Sequence, residues 1–132
     1  MKFKALQNIL IGLGLALLTI SLHRALSAQK GLELTSMLLI LIGSVYFGFA
    51  LLSSHKKAAI IEIFVATAFV LIAIFGLWVS PWFLIIGLLL HGFWDLAHHN
   101  NMFKLIEIPK WYIPFCAAYD WSMAFYLMVW HF

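Results

Sequence analysis

The stretch His91-Gly92-Phe93-Trp94-Asp95-Leu96-Ala97-His98-His99 sets three groups able to bind a metal or move a proton at helical spacing. A helix turns about 100° per residue, so positions i, i+4 and i+7 share a face. His91, Asp95 and His98 therefore point together, with His99 displaced round the edge of that face. Imidazole and carboxylate suit zinc, iron or manganese, and a helical turn sets ligand separation in the same way in zinc hydrolases. The same side chains also build proton or cation relays. Just before them, Phe83-Leu84-Ile85-Ile86-Gly87-Leu88-Leu89-Leu90 has no polar side chain at all. One chemical face on a helix otherwise suited to lipid has to be explained by the elements around it.

Composition says what those elements are. Of the 132 residues 65% are hydrophobic and 10% charged, and the mean hydropathy is +1.04. Soluble domains carry about a quarter charged residues, so the chain is predicted to be an all-α integral membrane protein, one helical domain over 1–132. The net charge of +3 comes from lysines and an arginine at segment ends, with no basic stripe for nucleic acid. Cys116 is the only cysteine, so no internal disulfide forms, and it reads as a small packing residue.

Five spans are predicted. Ala5–Leu22 is the first; its apolar run exceeds the roughly 7–15 residues of a signal-peptide core, so it reads as a retained helix. His23–Gly31 is a polar connector, Leu32–Ser53 the second span, and Ser54–Lys57 a basic turn. Gly12 with Ala16, and Ser44 with Gly48, are small pairs that let helices approach closely. Ala58–Val79 is the third span. Ala59, Ala66 and Ala73 repeat on its packing face, and Glu62 falls within about 60° of each. Ser80-Pro81 makes a tight hairpin, since proline suits a helix's first turn, flanked by interfacial Trp78 and Trp82. The fourth helix runs from Pro81 to about His99. Asn100–Lys110 is a polar loop, and the fifth span opens at Trp111, Tyr112 and Pro114 and ends near Phe132.

The amino terminus, the Ser54–Lys57 turn and the 100–110 loop share one side, with six of the eight Lys/Arg residues. The positive-inside rule makes that side cytoplasmic, giving an N-in/C-out multi-pass protein of a bacterial plasma membrane. Counting rise per residue from it, Glu62, Asp95 and Asp120 all lie roughly 6–9 Å deep. Asp120 shares its helix face with Cys116, Ala117 and Ala124. An ionised acid in hydrocarbon costs about 2.5–3.5 kcal/mol, and three together repel one another. A bound divalent cation or protonation would relieve them.

The string His91-Gly-Phe-Trp-Asp-Leu-Ala-His-His, followed by Trp111-Tyr-Ile-Pro-Phe-Cys-Ala-Ala-Tyr-Asp120, resembles a group of small bacterial integral membrane proteins of unknown function. That resemblance implies a functional set of His91, Asp95, His98, His99 and Asp120, and no activity. The His-x3-Asp-x2-His-His spacing also resembles the His-box of membrane di-iron desaturases and hydroxylases, which carry several such boxes where this chain has one.

Three function classes follow. The first is a metal-dependent membrane enzyme, hydrolysing a lipid or other hydrophobic ester or amide at the cytoplasmic leaflet. Its divalent metal, with zinc favoured over iron or manganese, would be held by His91, Asp95, His98 and Asp120, with Asp120 alternatively orienting His91. Glu62 would be the general base on metal-bound water, and His99 and Tyr119 are secondary candidates. The second class binds a hydrophobic ligand, its helices joined by polar contacts. The third moves protons or cations and would need a homo-oligomer. Blander roles attach to the rest: Trp94, Tyr119, Trp121 and Tyr126 as packing residues, and His23, Glu33, His55 and His131 at the water interface. Nucleophile elbows and phosphate-cradling glycine loops are missing from the chain.

Overall fold

Residues 2–131 are described by a computed structural model and form five α-helices. They are α1 (Lys2–Ala25), α2 (Ala28–Leu52), α3 (Lys56–Trp78), α4 (Trp82–Ala97) and α5 (Tyr112–His131), with a one-turn 3-10 helix at His99–Asn101. No strand occurs among the described residues. The segments Phe3–Ala25, Ala28–Leu52 and Lys56–Trp78 are long and apolar enough to cross a membrane, as an integral membrane protein requires. Helix α4 is apolar but has only 16 residues, about 24 Å of helix against a hydrocarbon core of about 30 Å.

The predicted connector His23–Gly31 shrinks to Leu26 and Ser27. Nothing in it breaks a helix: Arg24, Gln29 and Lys30 are good helix formers, and Gly31 N–H already donates to Ser27 O at 2.9 Å. The extra turn on α1 carries His23 inside the bundle, where it is 1% exposed. Its imidazole lies against Gly31, with Nδ1 2.9 Å from the Tyr126 hydroxyl. The interfacial assignment of His23, and the purely packing role of Tyr126, are therefore corrected. By contrast the Ser80-Pro81 hairpin forms as expected. Phe83 N–H donates to Ser80 O and Leu84 N–H to Pro81 O, each at 3.0 Å, and Trp78 and Trp82 point outward.

Helix α2 packs along α3, α4 along α5, and α5 along α1, with Leu39, Leu84, Leu88, Met123 and Leu127 at the centre. Ala66 and Ala73 are fully buried, as their seven-residue repeat predicts, while Ala58 takes the inner place beside half-buried Ala59. Gly12 is required where it stands, because a Cβ there would run into the Phe115 carbonyl of α5. The Ser44–Gly48 pair does no such work, since nothing lies within 4 Å of a Cβ on Gly48. The buried face of α2 is instead Ser36, Leu39, Gly43, Tyr46 and Ala50. Ser36 donates its hydroxyl to Ala73 O at 2.9 Å, tying α2 to α3.

Alternating helix directions bring the 53–55 turn and the 98–111 segment to the same end of the bundle. That segment folds back over the end, burying Leu105 and Ile106. Asn100, Asn101 and Lys104 take positive φ of 57°, 53° and 53°; asparagine tolerates that region and lysine seldom visits it.

Candidate functional site

Beneath this folded-back segment, α2, α4 and α5 bring polar side chains together. Position 95 lies one helical turn beyond 91, so both side chains reach the same interior space. His91 Nδ1 is 2.7 Å from Asp120 Oδ2 and 3.5 Å from Asp95 Oδ2. Cys116, one turn before Asp120 on α5, places Sγ 3.6 Å from Asp120 Oδ2 and 3.9 Å from His91 Nδ1. One ligand-type atom from each of His91, Asp95, Cys116 and Asp120 lies within 4.8 Å of the others. All four side chains are wholly buried. Tyr46, also wholly buried, donates its hydroxyl to Asp95 Oδ1 at 2.5 Å.

The hydrogen bonding leaves a remainder. His91 Nε2, Asp95 Oδ2 and Asp120 Oδ1 are buried without a hydrogen-bond partner in the protein. Leaving one such group unsatisfied costs about 1–3 kcal/mol, and here three belong to one cluster. One nitrogen, two carboxylates and one thiol form a donor set of the kind zinc accepts, so the residues fit a divalent metal. The reading of Cys116 as a packing residue alone is corrected: the i, i+4 spacing of Cys116 and Asp120 carries the thiol into the cluster.

A second polar pair adjoins the first. Glu62 Oε1 is 2.8 Å from His98 Nε2, and Trp94 Nε1–H donates to Glu62 Oε2 at 3.0 Å. His98 Nδ1 lies 2.8 Å from the Trp94 carbonyl. A carbonyl only accepts, so Nδ1 carries a proton. The Glu62–His98 contact then holds one further proton, on the imidazole or on the carboxyl. It is an acid–base pair whichever group carries that proton. Tyr46 joins the pairs, its ring centroid 5.6 Å from that of His91 and 5.3 Å from that of His98.

Glu62, Asp95 and Asp120 thus all face inward, at 0% exposure. The single chamber expected for them is two adjoining groups: His91, Asp95 and Asp120 in one, Glu62 and His98 in the other. His99 is exposed on the 3-10 helix. Tyr119 turns its hydroxyl to α1, donating to Thr19 Oγ1 at 3.3 Å and tying α5 to α1. Trp94 is more than a packing residue, because it holds Glu62. Gly92 is fixed by close approach, since a Cβ there would stand 2.5 Å from Trp121 Nε1.

A family model matches residues 6–131, from the first helix through the last. The chain belongs to DUF6010, a family of unknown function. No curated protein and no solved structure matches it. The DUF6010 match spans Tyr46, Glu62, His91, Asp95, His98, Cys116 and Asp120 alike.

Proposed function

We propose that this protein is a small metal-dependent membrane hydrolase acting on a hydrophobic substrate at the cytoplasmic leaflet. In this reading all five helices cross the bilayer, N-in/C-out, in a bacterial plasma membrane. The observation that carries it is the buried cluster of His91, Asp95, Cys116 and Asp120 with unsatisfied carboxylate oxygens. These four residues would hold the metal, zinc best matching the donor set, with iron or manganese as alternatives. His98, which helical spacing grouped with the ligands, is instead the partner of Glu62. When bound, a divalent metal polarises a carbonyl and acidifies water.

The chain's own residues supply the rest. Glu62 with His98 takes a proton from the attacking water as its oxygen bonds to the carbonyl carbon of an ester or amide. The same pair returns that proton to the leaving oxygen or nitrogen as the C–O or C–N bond breaks. Trp94 fixes the orientation of Glu62, and Tyr46 fixes Asp95. Elemental analysis of protein purified without chelator tests the reading: about one zinc, iron or manganese per chain is expected. Loss of that metal in His91→Ala completes the expectation, and protein without stoichiometric metal rejects it.

The contacts through Tyr46 favour a second reading. Tyr46, Asp95, His91 and Asp120 form a polar row along which protons could pass, with the ring of Tyr46 set against that of His98 at its end. In that case the protein is a proton- or cation-coupled carrier, working as a homo-oligomer, and metal-independent flux into liposomes would identify it.

A further inference from the structure

Between α3 and α4 an apolar groove of about 340 Å³ opens on the outer flank of the bundle. Val65, Ala68 and Ile72 form one wall, Leu90 and Phe93 the other, and the aromatic side chains of Phe69 and Trp94 lie at its inner side. Those two aromatics distinguish it from the rest of the apolar surface. The ring of Phe69 meets that of His91 at 4.8 Å between centroids. Trp94 meets His98 at 5.4 Å and donates to Glu62. One aromatic thickness therefore separates the groove from each polar group.

The groove also has a direction. Val65 lies one turn beyond Glu62 on α3, and Ile72 lies about 10 Å further along the axis, away from the end that carries the acids. Its polar neighbours are thus gathered at one end and its other end is wholly apolar. A molecule matching that gradient has a reactive polar group at one end and a hydrocarbon chain at the other, as an acyl lipid has in a leaflet.

We propose that the α3–α4 groove seats the acyl chain of the substrate, entering sideways from the bilayer, and that the substrate class is an acyl ester or amide. This rests on the hydrolase reading above. The tail lies along Val65, Ala68 and Ile72. The carbonyl end lies at the Phe69 and Trp94 rings, one aromatic thickness from His91 and from the Glu62–His98 pair.

The test uses full-length protein in phosphatidylcholine nanodiscs with a diazirine-bearing palmitic acid, its cross-links mapped by mass spectrometry. Label is expected to concentrate on Ala68, Leu90 and Phe93 several-fold above Leu10 and Leu17, outward residues of α1. Ala68→Trp, which fills the groove, should bring that excess down to the α1 level and leave metal content unchanged. Excess unlabelled palmitate should do the same to the wild-type protein without any substitution. Equal labelling of α1 and the groove, unaffected by palmitate, overturns the proposal. Metal retained without groove labelling rejects the groove alone, while groove labelling without metal rejects the hydrolase reading and leaves acyl binding in place.

Discussion

Asp120→Ala is expected to lower the free energy of unfolding by about 3–5 kcal/mol, the cost of removing one partner from a buried carboxyl–imidazole pair. Asp120 is wholly buried and is the nearest acceptor to His91 Nδ1, at 2.7 Å. Without it His91 Nδ1 keeps only Asp95 Oδ2 at 3.5 Å and the Cys116 sulfur at 3.9 Å, both weak contacts by distance. The cavity left by the carboxylate adds to the loss. Asp120→Asn separates structure from charge. Its amide oxygen still accepts from His91 and its volume is the same, so most of the stability should return. Metal content should not return, because a neutral amide replaces a carboxylate ligand. Reversible unfolding in mixed micelles reads the first effect and elemental analysis the second. Asp120→Asn retaining a full complement of metal would remove Asp120 from the ligand set.

Glu62→Gln should reduce turnover of a fluorogenic long-chain acyl ester by about 10²- to 10⁴-fold, the usual share of general acid–base catalysis. The substitution preserves both contacts of the side chain. Its amide oxygen accepts from Trp94 Nε1–H, and its NH2 donates to His98 Nε2, which lies 2.8 Å from Glu62 Oε1. Fold and metal content should therefore be those of the wild type. What is lost is a group that can take up and release the proton shared with His98. Full turnover in Glu62→Gln would show that the pair is a structural tie between α3 and α4.

Much of this arrangement was legible from spacing. His91 and Asp95 meet because i and i+4 share a helix face, and Ala66 and Ala73 mark the buried side of α3 on which Glu62 lies. Ser80-Pro81 announced its own turn through proline's demands on the backbone. Tyr46 was not legible: its partner Asp95 is 49 residues away, and α2 carries no pattern that singles out a tyrosine among apolar neighbours. Cys116 could have been found, since it stands one turn from Asp120, but a lone cysteine in an apolar helix usually signals only packing. His98 illustrates a different limit. Helical spacing correctly put it near the face of His91, yet α4 ends at Ala97 and the ring turns to Glu62 on the neighbouring helix. His23 was misplaced for a related reason. Helix α1 runs a turn further than its apolar stretch, because charged residues that suit a surface also suit a helix.

If the function proposed is right, His91, Asp95, Cys116 and Asp120 hold one divalent metal. X-ray absorption at the zinc edge of the zinc-loaded protein tests it most directly. One sulfur neighbour is expected at about 2.3 Å with nitrogen and oxygen neighbours at about 2.0–2.2 Å, the sulfur disappearing in Cys116→Ser. Nitrogen and oxygen neighbours alone, unchanged by Cys116→Ser, would place the metal elsewhere and rule this site out.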